Sequence, residues 1–261
     1  MTSRTISLAA GTVPEIDPPA TVEAAAAGGF GAAGIWVDLG TWTPAVTADV
    51  RRRLDDTGLV ALDAEVIRLR PERDLADAER IVDIAAAVGA RFALVVSQDP
   101  DLGRTAAQYG ELCAHGAEVG DRPVLEFMRF MTVRTLPEAV DVVARAGHPD
   151  GAVLVDALHL DRGGHSPADV AALDPTLLPY AQLCDGPAAA PPPDQLVTEA
   201  LDGRLLPGEG DLPLEELVAA LPDATPLSVE LRSAALRTGY PDPVERACVI
   251  AAATVAFLAG R

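Results

Sequence analysis

Short apolar runs alternate with alanine-rich stretches of helical spacing along the whole chain. The apolar runs are mostly rich in Val, Ile or Leu, as is typical of parallel strands covered on both faces. Eight of them occur, at residues 5–9, 34–37, 59–66, 92–97, 123–127, 152–156, 179–184 and 227–231. Eight β-then-α units in 261 residues predict an α/β protein with a (β/α)₈ TIM barrel, built as a single domain over residues 1–261.

The main alternative is an open, doubly wound parallel sheet. Such a sheet usually carries a glycine-rich phosphate-binding turn after its first strand. Here the first run continues as Leu-Ala-Ala-Gly-Thr at residues 8–12, which is not such a turn. The barrel is therefore the favoured architecture.

Several helices show clear start signals. Thr135 and Asp242 are each followed three positions later by a glutamate, a pattern typical of a helix N-terminus. The helix that starts at Asp242 carries a predicted apolar stripe of Val244, Cys248, Ala252, Val255 and Leu258.

The charge balance excludes several classes of function. The formal net charge is −19, no basic run is present, and the chain contains no lysine. A chain this acidic repels phosphate backbones, so we expect no nucleic acid partner. Schiff-base catalysis by a lysine is excluded because no side-chain amine is available.

The compartment is expected to be cytoplasmic, without membrane association. No apolar run reaches the roughly 20 residues that a membrane span needs, and the first residues lack the apolar segment of a signal peptide. The three cysteines are far apart and form neither a CxxC pair nor a zinc spacing, so a disulfide framework is not expected.

Polar residues end four consecutive predicted strands. Because side chains alternate between the two faces of a strand, each of these four residues shares a face with the residue two positions earlier, namely Val124, Leu154, Tyr180 and Ser228. Three carboxylates and an amide placed together would repel strongly unless a cation lies between them. The predicted metal ligands are Glu126, Asp156, Gln182 and Glu230. In the structural alternative, arginines such as Arg129 and Arg232 neutralise the acids.

This donor set is hard and oxygen-rich. It suits one divalent cation, Mn²⁺ or Mg²⁺, with Co²⁺ as a further choice. Such a cation polarises a carbonyl group and stabilises an enediolate, while carboxylates beside the substrate carbon remove and return the proton. The donors therefore predict proton transfer next to a carbonyl.

Four ordered motifs resemble those of the xylose isomerase-like barrel superfamily: VLEF at residues 124–127, DALH at 156–159, QLCD at 182–185 and PGEGD at 207–211. The resemblance covers nearly the whole chain and is closest to the tagatose epimerase and hydroxypyruvate isomerase branch. It implies that Glu126 and Glu230 bind metal and form the acid–base pair. It also implies that Asp156 and Gln182 complete the metal site, and that His159 and Arg204 contact the substrate.

Two departures from the family pattern matter. Many relatives have histidine where Gln182 stands, although the hydroxypyruvate isomerase-like branch has glutamine there. The nuclease branch uses a histidine cluster for three metals, whereas this chain has only four histidines in total. The resemblance therefore indicates sugar chemistry and not DNA repair.

Further candidates for substrate contact lie near the ends of the second and third strands. Glu65 and Arg68 could touch the substrate or form a surface ion pair, and Trp36 and Trp42 could stack on a sugar ring or serve in packing. Residues 185–211, which include three consecutive prolines, form a long irregular connection expected to lie over the barrel mouth as an active-site loop.

The function predicted from the sequence is that of a metal-dependent isomerase or epimerase. Its substrate would be a sugar, a sugar derivative or a small hydroxy-keto compound, and a phosphorylated substrate is less favoured because no anion cradle is visible. A dehydratase or lyase that uses the same metal and carboxylates is one alternative, and a catalytically silent barrel that serves as a binding subunit is another. The sequence leaves homo-oligomerisation open.

Overall fold

A closed barrel of eight parallel strands forms the centre of the protein. The computed structural model describes residues 4–71 and 75–260. Each strand pairs in parallel with the next one along the chain, and the eighth pairs with the first. The strands are β1 (Ile6–Leu8), β2 (Ala32–Trp36), β3 (Val60–Leu69), β4 (Phe92–Ser97), β5 (Pro123–Glu126), β6 (Val153–Asp156), β7 (Ala181–Leu183) and β8 (Leu227–Val229).

Helices follow the strands and surround the barrel. In the described ranges, none of them is both long and apolar enough to cross a membrane. They are α1 (Pro18–Gly28), α2 (Pro44–Thr57), α3 (Ala76–Val88), α4 (Leu102–Val119), α5 (Leu136–Ala146), α6 (Ala157–Arg162), α7 (Pro167–Ala171), α8 (Leu196–Asp202), α9 (Leu214–Ala220), α10 (Ala234–Gly239) and α11 (Pro243–Ala259).

This architecture confirms the predicted (β/α)₈ barrel. The predicted single domain of residues 1–261 includes residues 1–3, 72–74 and 261, which lie outside the described residues. The capping signals are also confirmed, since Thr135 accepts a hydrogen bond from Glu138 N and Asp242 accepts one from Val244 N. Both helices therefore begin where the sequence predicts.

Two apolar layers hold the barrel together. One fills its interior and includes Leu62, Leu94, Val124, Leu154 and Tyr180. The larger layer lies between the strands and the surrounding helices. Strands buried on both faces explain why the apolar runs are nearly continuous in the sequence.

The third strand is longer than its sequence predicts. It extends from Val60 to Leu69, with an irregularity in its pairing with β4 between Ala64 and Ile67. Arg68 therefore lies within β3, past the predicted end of the strand at residue 66. A bulge of this kind changes which side chains point inward, which the simple alternation of the sequence does not reveal.

The predicted apolar stripe of the last helix is wrong. Val244 and Val255 are 39% and 61% exposed, and Cys248 is exposed as well. The buried face instead carries Ala247 and Ile250, and the helix packs against α1. Because α11 is alanine-rich on all sides, its hydrophobic pattern does not distinguish the faces, and small side chains that allow close approach to α1 decide the packing.

Candidate functional site

The carboxyl ends of β5 to β8 bring the four predicted donors together. Glu126 and Asp156 end β5 and β6, Gln182 lies within β7, and Glu230 directly follows β8. Single carboxylate oxygens of Glu126, Asp156 and Glu230 all lie within 4.8 Å of one another. Gln182 is the register partner of Asp156 on the neighbouring strand. Donors from four consecutive strands thus converge at the mouth of the barrel.

Strand alternation explains this convergence. Val124, Leu154 and Tyr180 belong to the apolar cluster inside the barrel. Each lies two positions before one of the donors Glu126, Asp156 and Gln182, so each donor faces inward one step closer to the mouth. The apolar cluster fills the barrel interior next to the site and excludes water there. The donors form a polar layer between this cluster and the barrel mouth.

Burial sets the protonation of the acidic cluster. Loss of hydration raises the pKa of Glu126, and the charges of Glu230 and Asp156 raise it further. Burial also raises the pKa of Glu230, although the Arg204 guanidinium opposes this. Asp156 is different: burial disfavours its charge, but Arg204 and His159 together lower its pKa. Two of the three carboxyls thus hold protons more tightly than free glutamate.

Several donor atoms lack a protein partner. The buried atoms Glu126 Oε1, Gln182 Oε1 and Gln182 Nε2 have no hydrogen-bond partner. Buried polar groups are almost always satisfied in folded proteins, so these atoms indicate a missing ligand. Oxygen donors from carboxylates and an amide suit a divalent cation, and the buried acidic cluster could bind one.

A single arginine neutralises part of the cluster. The Arg204 side chain is 2% exposed; its Nη1 lies 2.6 Å from Asp156 Oδ2 and its Nη2 lies 3.2 Å from Glu230 Oε2. Arg204 also donates to the backbone oxygens of Ala200 and Glu230. The alternative that arginines neutralise the acids is thus met in part, by the ion pairs of Arg204 and by the charge of Arg232, which opposes the rise in the pKa of Glu230. Its predicted contact with substrate stays a prediction.

The ion pairs of Arg204 predict that the protein loses stability when this arginine is removed. Arg204→Ala leaves Asp156 and Glu230 buried without their partner, which in comparable sites costs roughly 3–5 kcal/mol. We therefore expect the free energy of unfolding, measured with chelator present, to fall by about that amount. Added Mn²⁺ should restore part of the loss, because a cation would compensate the same carboxylates.

The surface residue Arg237 provides the control. Arg237 pairs with Asp202 at a partly exposed position, where an ion pair is worth at most about 1 kcal/mol. Arg237→Ala should therefore change stability little and should not respond to Mn²⁺. An equal loss in both variants would show that Arg204 does not neutralise the cluster in solution.

His159 is held in place by its neighbour in the same motif. Asp156 is the N-cap of α6, and its Oδ1 accepts a hydrogen bond of 2.9 Å from His159 N. This cap fixes the imidazole in the first turn, with Nε2 4.0 Å from Glu126 Oε1. Burial lowers the pKa of His159 to about 4. The imidazole is therefore neutral near pH 7 and can donate or accept a hydrogen bond.

A second pair of buried acids lies beside the cluster. Glu65 accepts a hydrogen bond from Ala10 N at 3.2 Å, whereas the buried carboxyl of Asp63 interacts with the Tyr180 side chain. Burial raises the pKa of Asp63 to about 7 and raises that of Glu65. Sequence reasoning did not single out Asp63, although its position two residues before Glu65 could have indicated it.

Close packing at one glycine keeps this second pair in place. A Cβ at Gly34 would lie 2.9 Å from Asp63 Oδ1 and 3.0 Å from Glu65 Oε1. Only glycine leaves room for both carboxyls at this point of β2. The two acids therefore depend on the backbone of the neighbouring strand.

The predicted residues line one small cavity at the barrel mouth. Its volume is about 120 Å³, and its walls include Trp36, Glu65, Glu126, His159, Arg204 and Glu230. The structure therefore brings together six of the eight predicted site residues in one cavity. The other two, Asp156 and Gln182, are buried next to it as register partners.

Comparison with known proteins identifies the family. The sequence matches the xylose isomerase-like TIM barrel family over residues 22–248. The chain belongs to this family. No curated protein matches the sequence.

Solved structures of similar fold include three of interest. A xylose isomerase-like TIM barrel/4-hydroxyphenylpyruvate dioxygenase fusion protein matches with a TM-score of 0.81 and 20% identity over 95% of this chain, which spans only 41% of the fusion protein. The IolI protein with a bound zinc atom matches with a TM-score of 0.79 and 16% identity, covering 98% of both chains. D-psicose 3-epimerase, crystallised in the presence of D-fructose, matches with a TM-score of 0.75 and 15% identity over 96% of this chain and 97% of that one. At these identities the likeness establishes the fold alone.

The segment after β7 of this xylose isomerase-like barrel is more ordered than its sequence predicts. Residues 185–211 contain α8, so part of the predicted irregular connection is helical. Asp185 holds the segment together, because its carboxylate accepts hydrogen bonds from the backbone N–H groups of Gly208, Gly210 and Leu212. Arg204, just after α8, reaches the acidic cluster through its ion pairs with Asp156 and Glu230. The role of the segment as an active-site loop stays a prediction.

Proposed function

We propose that this protein is a divalent-metal-dependent isomerase or epimerase of a sugar, a sugar derivative or a small hydroxy-keto compound. The observation that carries the proposal is the meeting of Glu126, Asp156 and Glu230 within 4.8 Å, beside an amide whose polar atoms are buried without partners. The solved relatives add support, since one is described with a bound zinc atom and another is an epimerase.

The four donors would hold the cation. Glu126, Asp156, Gln182 and Glu230 would supply three carboxylate oxygens and one amide oxygen, a set that suits Mn²⁺ or Mg²⁺ better than a structural zinc. When bound, a divalent cation supplies polarisation of a carbonyl oxygen and stabilisation of the negative charge that develops there.

Glu126 and Glu230 would move the proton. They lie on β5 and just after β8, so they approach the cavity from different sides of the barrel mouth. One would take a proton from the carbon next to the carbonyl while the other returns it. Burial raises the pKa of both carboxyls, whereas a bound cation would lower it, so the two effects oppose each other at the proton-transfer residues.

The remaining residues of the cavity would orient the substrate. Neutral His159 offers a hydrogen bond to a hydroxyl or carbonyl oxygen beside Glu126. Arg204 holds Asp156 and Glu230 in position through its two ion pairs. The apolar residues Leu94, Val96 and Met128 in the cavity wall reduce access of water.

Metal content gives the most direct test of the site. We expect about one divalent ion per chain in protein purified without chelator, measured by elemental analysis. The double variant Asp156→Ala/Glu230→Ala should lose it, because two of the four donors are removed. The control Glu118→Ala/Asp223→Ala removes two exposed carboxylates elsewhere and should keep the metal. Equal metal content in all three proteins would refute the proposed site.

Activity separates the proposed reaction from its alternatives. Protein loaded with Mn²⁺ is incubated in D₂O with a panel of ketoses and keto acids and followed by NMR. An isomerase or epimerase incorporates deuterium into the substrate. An isomerase also moves the carbonyl group to the neighbouring carbon, and an epimerase inverts the configuration of that carbon. Loss of water from the substrate would instead show a dehydratase, and a metal-loaded protein without any exchange would support a silent binding subunit.

A further inference from the structure

A second and larger cavity adjoins the catalytic one. Its volume is about 540 Å³, and it lies between the ends of β1 and β2 and the start of α2. Trp36 lines both cavities. Ala10, which lines the larger cavity, donates its backbone N–H to Glu65 in the smaller one. The two spaces therefore share a wall built from the ends of neighbouring strands.

The catalytic cavity is small for a complete substrate. Its volume of about 120 Å³ compares with roughly 300–1,000 Å³ for ordinary ligand pockets. The adjoining cavity of about 540 Å³ falls inside that range. A substrate that reacts at the acidic cluster and extends past Trp36 would fill both.

The walls of the larger cavity favour a ring with an apolar face. Both tryptophans of the chain, Trp36 and Trp42, line it. Trp42 is fixed by a hydrogen bond of 2.9 Å from its Nε1 to Thr47 Oγ1. Pro14, Ile16 and Val46 add further apolar surface. Trp42 is only 8% exposed and supports the wall, whereas Trp36 is half-buried and offers the more accessible ring for stacking with a sugar or aryl ring.

The charges around the cavity disfavour anions. Its charged lining residues are Asp17, Asp38 and Asp49, and none of its described lining residues is basic. Asp17 and Asp38 accept backbone hydrogen bonds that keep them at the rim. Asp49 is paired with Arg52 and Arg53, so Asp17 and Asp38 carry the charge that would repel an anionic group such as a phosphate.

We propose that the larger cavity binds the second ring of an uncharged keto sugar, such as an aryl glycoside whose sugar ring carries a ketone, while the ketone-bearing ring reaches the catalytic cavity. Phenyl β-glucoside, which has no ketone, serves as an unreactive binding probe. This inference rests on the proposed function for the reaction at the acidic cluster. It identifies the substrate as larger than a free monosaccharide. It also assigns Trp36 and Trp42 as the residues that select for the second ring.

Tryptophan fluorescence reports directly on this cavity, because the chain has only the two tryptophans that line it. The protein is titrated with phenyl β-glucoside, with glucose and with glucose 6-phosphate, each with and without Mn²⁺. We expect phenyl β-glucoside to cause a saturable change in fluorescence and glucose to bind at least about tenfold more weakly. Glucose 6-phosphate should cause no saturable change. No saturable change with phenyl β-glucoside would overturn the proposal.

A matched pair of variants tests the location. Ala45 is exposed and lines the cavity at the start of α2, whereas Ala48 is exposed on the same helix and does not line it. Ala45→Phe should fill the cavity and weaken phenyl β-glucoside binding about tenfold or more, while Ala48→Phe should leave it unchanged. Equal binding by both variants would refute the location.

The same titration separates this inference from the proposed reaction. The fluorescence change requires neither turnover nor metal. A saturable, Ala45-dependent change in a protein without exchange activity would support the cavity and refute the reaction. Exchange of free monosaccharides without any change for phenyl β-glucoside would support the reaction and refute the cavity.

Discussion

Glu126→Gln and Glu230→Gln should each lower turnover by roughly 100- to 10,000-fold, the usual contribution of a general acid or base. Glutamine keeps the shape and one oxygen donor of glutamate but cannot accept the proton. Each variant should therefore retain some metal while it loses activity. The measurement is incorporation of solvent deuterium, followed by NMR, into whichever ketose or keto acid the Mn²⁺-loaded wild type exchanges.

The control for these variants is Glu118→Gln, an exposed position on α4 outside the site. It should exchange the substrate proton at the wild-type rate. Metal content is measured on the same samples, because loss of activity together with loss of metal would show only a ligand role. If both site variants retain metal and exchange at the wild-type rate, the acid–base assignment is wrong.

The barrel and its donor residues could be predicted because both depend on local rules. Parallel strands covered on both faces produce apolar runs, and alternation along a strand places Glu126 on the same face as Val124. The closure of the barrel then follows from the number of β-then-α units. No long-range information is needed to predict that the ends of β5 to β8 face the same space.

Other parts of the site depend on contacts between distant residues. Arg204 pairs with Asp156 across 48 positions of the sequence, and no local pattern predicts which arginine reaches the acids. The register of β3 against β2 shifts between Ala33 and Ile35, where Asp63 and Glu65 lie beside Gly34. The face of α11 is decided by its fit to α1, since alanine-rich helices carry little directional hydrophobic signal.

The stability of the metal-free protein should fall as pH rises. Burial raises the pKa of Asp63 and that of Asp121 from 3.8 to about 7, so between about pH 4 and pH 7 the folded state binds more protons than the unfolded one. Each such group then lowers the free energy of unfolding by about 1.4 kcal/mol per pH unit, or some 2–3 kcal/mol between pH 5 and pH 8. His159 acts in the opposite direction, because its lowered pKa adds stability as pH rises from about 4 to 6.5.

Asparagine variants isolate the two acids. Asp63→Asn and Asp121→Asn should each remove about 1.4 kcal/mol per pH unit from the slope of unfolding free energy against pH, measured by urea denaturation with chelator present. Asp121 lies just before β5, at the opposite end of that strand from the donor Glu126, so its variant should leave metal content unchanged. Asp63→Asn should lose the same amount of pH-dependent slope, although Asp63 lies beside the site. A slope equal to that of the wild type in both variants would mean that these carboxyls ionise in the folded protein as they do in water.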